Sequence, residues 1–154
     1  MNSMTEERIF IDSSIFLKFL IDGVDVFEGL KDFTLLTSDN VVEEVIYVLL
    51  KEEGRDFIEE DKHYMVLNFL RKDPDFVKKV SEGIINDLDE LMSALMIKIV
   101  KPAPLEIMFQ IMRISGLLPN DALIAATCKF YGIKKIASFD DDFKRVDFLE
   151  ILKP

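Results

Sequence analysis

The sequence predicts an α/β fold with helices layered on a sheet, and three observations carry that expectation. Short apolar runs at residues 8–11, 33–37, 97–100 and 133–137 have strand length and end in turn signals. The segments between them place apolar residues at helical spacing, so strands and helices alternate. In such folds helix starts and strand ends meet at one sheet edge, which brings Asp121 and Asp140 together where open sheets bind ligands.

A chain of 154 residues, 49% hydrophobic, has the size and composition of one domain spanning 1–154 around one core. It has no apolar run of about 18 residues, no basic start followed by an apolar stretch, and a single cysteine. The expectation is a soluble cytoplasmic protein with no membrane association and no disulfide framework. Twenty-nine acids against nineteen bases give a net charge of −10. That charge opposes broad binding to nucleic acid, because a phosphate backbone needs local positive charge. Acids converging on a divalent cation reverse the argument locally.

In chain order, residues 1–7 are polar and carry no assigned element. The strand at 8–11 breaks at Asp12-Ser13-Ser14, and Ile15, Phe16, Leu17, Phe19 and Leu20 continue as an apolar helical face. Asp12 therefore stands at a strand end, a place where an aspartate also caps helices. Gly23 and Gly29 loosen the next segment, and a second strand follows at 33–37. Ser38, Asp39 and Asn40 are cap residues, and Asn40 with Glu43 has capping-box spacing before Val45, Ile46, Val48, Leu49 and Leu50. Glu43 and Glu44 flank that apolar stripe, and periodicity does not choose which of them reaches a cleft.

Residues 52–75 are strongly charged and read as a solvated helix with Tyr64, Val66, Leu67, Phe69 and Leu70 on its apolar side, ended by Asp73-Pro74. The one histidine, His63, reads as a surface residue, so histidine-pair acid–base catalysis and multi-histidine zinc sites are excluded within the chain. Residues 76–96 are helical, with Ile84, Ile85, Leu88, Leu91, Met92 and Leu95 spaced for burial. The strand at 97–100 stops at Lys101-Pro102-Ala103-Pro104, and a helix spans 105–114. Asn120 then reads as an N-cap, Asp121 favours the positive first turn, and Leu123, Ile124, Ala126, Thr127 and Phe130 form the buried side up to Gly132. The strand at 133–137 leads into the acidic turn Ser138-Phe139-Asp140-Asp141-Asp142, and 146–152 adds an edge strand. Cys128 reads as a small buried residue and not a nucleophile, since no histidine is near and an apolar site raises a thiol pKa.

Asp12, Glu43 or Glu44, Asp121 and Asp140 can thus face one edge. Carboxylates without histidine or cysteine suit hard, oxygen-liking cations such as Mg²⁺ or Mn²⁺, which support phosphoryl chemistry.

The blocks RIFIDSSIFLKFL, SDNVVEEVIYVLL and LLPNDALIAATCKFYGIKKIASFDDDF, in that order and spacing, resemble the motifs of the PIN-domain family, which includes VapC-type toxin ribonucleases. The resemblance runs from about residue 8 to the C-terminus. It implies a PIN-like three-layer α/β/α sandwich with a central, mainly parallel sheet, and Mg²⁺- or Mn²⁺-dependent endonucleolytic cleavage of RNA. Residue by residue it implies Asp12, Glu44, Asp121 and Asp140 as catalytic and metal-holding groups, Asp142 as a further ligand in the D-x-D-F ending, and Ser14 and Glu43 as supporting neighbours. The departure is Phe139, where many members carry a small polar residue that supports the fourth acid. The family also implies a homodimer and an antitoxin whose basic residue occupies the acidic pocket. Ile15, Phe16, Phe19, Val48 and Leu49, candidates for an interface, read more simply as core. The alternative is a PIN-like binding or scaffold protein without activity. A receiver domain would want an adjacent Asp-Asp pair at the first strand, and a haloacid-dehalogenase-type phosphatase would want D-x-D where this chain has Asp12-Ser13-Ser14.

Overall fold

The computed structural model describes residues 6–58 and 62–154. The readings of a polar start at 1–5 and of charged surface at 59–61 lie outside the described residues. Among the described residues there are five strands: β1 (Arg8–Ile11), β2 (Thr34–Ser38), β3 (Lys98–Val100), β4 (Lys135–Ala137) and β5 (Glu150–Leu152). They form one sheet in the order β3-β2-β1-β4-β5, and every neighbouring pair is parallel. In β1, Ile9, Phe10 and Ile11 are all buried, as expected of a strand covered on both faces. Phe10 pairs with Leu36 on one side and Ile136 on the other, which sets the register on either side of β1.

Six helices connect the strands: α1 (Ser13–Leu20), α2 (Asp39–Arg55), α3 (His63–Lys72), α4 (Pro74–Ala94), α5 (Leu105–Ser115) and α6 (Pro119–Tyr131). From β1 the chain moves outward through β2 to β3, then reverses to β4 and β5. Right-handed crossovers therefore put α1 to α4 on one face and α5 with α6 on the other. The packing agrees: α2 contacts α1, α3 and α4, while α5 packs on α6. This is the α/β/α sandwich expected above.

Local chemistry explains the helix ends. Asp73 caps α4 by accepting the Phe76 N–H at 3.0 Å, and Pro74 takes the first position, where no N–H is needed. Residues 76–94 thus belong to one helix, while Leu95 caps its end and Met96, at φ 52°, lies beyond it. Gly116 and Gly132 close α5 and α6 at φ 70° and 68°, the left-handed conformation that glycine adopts without strain.

Two expected caps are not formed. Leu118 is the N-cap of α6, and Pro119, with its preset φ, starts the helix two residues earlier than Asn120 capping requires. Ser38 is the N-cap of α2 and makes no side-chain cap bond, so Asn40 already lies inside the helix and cannot form a capping box with Glu43.

Ile15 and Phe16 are fully buried, and Phe19 and Leu49 pack partly buried against the core. Ile85, Tyr64 and Phe130, expected inside, are instead exposed. Phe130 turns outward and meets Tyr131 edge-on at 5.1 Å. No helix among the described residues is long and apolar enough to cross a membrane.

β4 is followed by a 3-10 turn at Asp141–Arg145 before the edge strand β5. Phe143 is fully buried and fastens that turn to the core. Phe143→Ala should lower unfolding free energy by about 3–5 kcal/mol in urea denaturation, through lost burial and a cavity. A loss below about 1 kcal/mol would mean that the turn is not anchored by this ring.

Candidate active site

The order of the sheet reverses between β1 and β4, and a parallel sheet binds its ligands at the C-terminal ends of the strands beside such a reversal. Asp12 follows β1 there, and Ser138-Phe139-Asp140 follows β4. Because α6 runs back toward the start of β4, its first turn, with Asn120 and Asp121, returns to the same edge. The early turns of α2 bring Glu44 in from the end of β2.

Asp12 is buried and accepts three hydroxyl hydrogen bonds: from Ser138 at 2.6 Å, from Ser14 at 2.9 Å and a longer one from Ser13 at 3.5 Å. The Ser138 oxygen also accepts the Asp140 N–H at 3.0 Å, and Ser14 accepts the Phe139 N–H at 3.0 Å. These bonds tie the ends of β1 and β4 together. They also resolve the Phe139 departure, because the support at Asp140 comes from a neighbouring serine and from backbone, and not from the side chain at 139. Asp140 in turn accepts the Asp142 N–H at 2.9 Å, which opens the 3-10 turn.

The side chains of Asp121, Asp140 and Asp142 converge, with one oxygen of each within 4.8 Å of the others. Asp141, between the last two, turns away to Lys144 and Lys153, which hold its carboxyl below its ordinary range. Asp142 also pairs with Arg145 at 3.3 Å. Asp12 and Glu44 stand outside the tight triplet but close enough to repel it. Burial raises Asp12, against the Ser138 and Ser14 bonds, and Asp140 adds to the rise. Burial also raises Glu44, and Asp12 adds to it. Asp121 is pushed up from 3.8 to about 7, by burial first and then by Asp140, Asp12, Glu44 and Asp142.

Glu44 is half-buried, whereas Glu43 is exposed. A run of side-chain bonds leads to Glu44: Ser38 donates to Asn40 at 2.6 Å, Asn40 to Asn120 at 2.9 Å and Asn120 to Glu44 at 2.8 Å. Asn40 and Asn120, read from sequence as caps, are therefore cross-links between α2 and α6. No local signal identifies them, because Asn120 lies 76 residues from Glu44. Ser138 was equally hidden as one turn residue among several.

The donor set is all carboxylate oxygen, which fits a hard divalent cation and offers nothing to a thiolate- or imidazole-seeking metal. Cys128 is fully buried in α6, and burial pushes its thiol well above the ordinary range, so it offers no nucleophile. A larger cavity of about 640 Å³ lies at the opposite sheet edge, beside Arg8, Thr34 and Lys98 at the starts of their strands, remote from these carboxylates.

A sheet of this order with carboxylates gathered at its reversal defines an acidic-site α/β protein. The chain belongs to the PIN domain family, whose model matches residues 9–149. Ribonuclease VapC2 of Methanocaldococcus jannaschii is 36% identical over 97% of this chain and 96% of its own length. Ribonuclease VapC6 of the same organism is 27% identical over 97% of this chain and 99% of its own. In fold, the chain is similar to the crystal structure of VapBC2 from Rickettsia felis bound to a DNA fragment from their promoter. That likeness has a TM-score of 0.55 at 16% identity and covers 94% of this chain and 96% of that one.

The raised carboxyls set the sign of a pH effect. With Asp121 at about 7 folded against 3.8 unfolded, the folded state holds more protons at this group between those values, so its contribution to stability is fully present below about 4 and is lost as pH rises through about 7. Asp12 and Glu44 act in the same direction. In chelator, Asp121→Asn should melt higher than wild type at pH 8, with the gain shrinking toward pH 4, as followed by thermal unfolding across pH. Parallel melting curves across that range would contradict the crowding of charge described here.

Proposed function

We propose that this chain is a metal-dependent endoribonuclease that hydrolyses RNA phosphodiester bonds as the toxin of a toxin–antitoxin pair. The observation that carries the reading is the convergence of Asp121, Asp140 and Asp142 beside Asp12 and Glu44, in a family whose relatives above are named ribonucleases.

Asp121, Asp140 and Asp142 would hold Mg²⁺ or Mn²⁺, with Asp12 alongside them. When bound, such an ion supplies Lewis acidity toward a phosphoryl oxygen and eases deprotonation of water. Asp12 is held in place by its serine bonds and keeps the ends of β1 and β4 in register. Glu44, fixed by Asn120 and raised in pKa, is suited to orient the attacking water and accept its proton. The water oxygen would bond to phosphorus as its proton passes to Glu44, the P–O bond to one RNA segment would break, and the departing oxygen would take up a proton and leave as a hydroxyl. Asp121, pushed up to about 7 by burial and by its neighbouring carboxylates, would lose its proton more readily beside a cation, so the acid cluster would be most receptive near and above neutral pH.

Three further parts belong to the reading. The antitoxin is a small protein whose basic residue fills the acidic pocket, a pairing supported by the VapBC2 likeness. The chain acts as a homodimer, supported by Leu105, Phe109, Ile114 and Leu118, which leave apolar surface on and just beyond α5. Its working compartment is the cytoplasm, where its RNA substrate lies.

The test is cleavage of a mixed RNA pool by wild type and Asp140→Asn, each with Mn²⁺, Mg²⁺ or a chelator. Only metal-loaded wild type should cut, and Asp140→Asn should lose on the order of a hundredfold or more. Equal cutting by both proteins, or cutting in chelator, would refute the assignment. Metal binding without cleavage of any RNA would favour the scaffold reading.

A further inference from the structure

One face of α2 leads away from the acidic centre and carries side chains that the hydrolytic reading leaves unused. Residues 40, 44, 47 and 51 fall on the same side of a helix with 3.6 residues per turn. Asn40 and Glu44 belong to the site; Tyr47 and Lys51 continue the line outward. At about 1.5 Å of rise per residue, Tyr47 lies about 4.5 Å and Lys51 about 10.5 Å beyond Glu44 along the axis.

Tyr47, together with Asn40, Glu43, Glu44 and Asn120, lines a groove of about 330 Å³ that shares Glu44 and Asn120 with the site. The large aromatic side chain of Tyr47 is 42% exposed beside the site. Among the described residues its hydroxyl has no hydrogen-bond partner, so polar pairing of that group does not account for its position. The Lys51 ammonium lies 4.6 Å from the Tyr47 ring centroid, and no carboxylate among the described residues forms an ion pair with it. The pair places an aromatic face and a cation side by side, close to the carboxylates of a chain whose net charge is −10.

We propose that Tyr47 and Lys51 form a subsite for one nucleotide of single-stranded RNA next to the scissile phosphate: the Tyr47 ring stacks on the base and Lys51 pairs with the adjoining phosphate. The inference rests on the endoribonuclease reading and deepens it. An unpaired base exposes a π-face that an aromatic ring takes up whatever the base, while a cation tracks the backbone. Such a subsite answers the difficulty raised by the net charge. A strand repelled by the protein as a whole is held locally, and its phosphate is delivered to the acids one helical turn away.

The experiment measures kcat and KM for Mn²⁺-dependent cleavage of a fluorescein-labelled, unstructured single-stranded RNA by wild type, Tyr47→Ala, Tyr47→Phe and Lys51→Gln. Thermal shift with Mn²⁺ is the control for fold and metal site. Tyr47→Ala should raise KM about tenfold or more with a much smaller change in kcat, and Tyr47→Phe should stay near wild type, because stacking needs the ring. Lys51→Gln should raise KM less and flatten the salt dependence by about one phosphate contact. The Mn²⁺ shift should be the same in all four proteins. Wild-type cleavage with Tyr47→Ala within about twofold of it in KM overturns the subsite and leaves the endoribonuclease reading standing. The subsite is likewise overturned if Tyr47→Ala loses only association with a protein partner. A wild type that takes up Mn²⁺ but cuts no RNA removes the endoribonuclease reading and the subsite with it.

Discussion

The Ser138 hydroxyl donates to Asp12 at 2.6 Å and accepts the Asp140 N–H at 3.0 Å, and on that pair of bonds the rest of the site depends. One side chain joins the ends of two strands whose backbones already pair at Ile11 and Ala137. It neutralises part of the demand of a buried carboxylate and sets the direction in which the following acids leave the sheet. A buried anion without such donors would cost several kcal/mol. With them, Asp12 is held among the ends of apolar strands, its pKa raised yet partly restrained.

From that join the charges spread in a graded way. Asp12 is buried and bonded by serines, Asp121 and Glu44 are half-buried, and the Asp142 carboxylate opens to solvent and Arg145. Repulsion among them is the energetic cost of the arrangement, and it falls most heavily on Asp121. The protein supports the arrangement with rigid elements: a fully buried Phe143 beneath the turn, a proline at the start of α6, and the Ser38–Asn40–Asn120 bonds that lock α2 to α6 at Glu44. A site that stores like-charge repulsion is also one that a cation relieves, so the feature that weakens the fold is the one that favours binding.

Much of this was legible in the sequence. Strand-length apolar runs ending near Asp12 and Asp140 followed from local pattern, as did the layered α/β class, because alternating helices and strands leave few other architectures. The helix boundary at Gly132 followed from backbone chemistry. What failed to show was non-local. Asn120 and Asn40 have cap-like identities and cap-like positions, yet each spends its side chain on the other helix. Glu43 and Glu44 are equivalent to periodicity and differ only once α6 approaches, leaving one exposed and the other bonded. Phe130 and Ile85 fit an apolar stripe by spacing but lie beyond the width that the neighbouring elements cover. Phe139 suggested a missing support that Ser138, one residue away, supplies.

The central claim is that Asp121 keeps a raised pKa because burial and neighbouring carboxylates crowd it at one sheet edge, where a bound cation would relieve the repulsion. The most direct measurement is proton release on Mn²⁺ binding at pH 6.5, by titration calorimetry in buffers of different ionisation enthalpy. The account predicts net release in wild type that is sharply reduced in Asp121→Asn, since that group carries a pKa of about 7 before the cation arrives. Tight Mn²⁺ binding with no proton released, or release unchanged in Asp121→Asn, would contradict it.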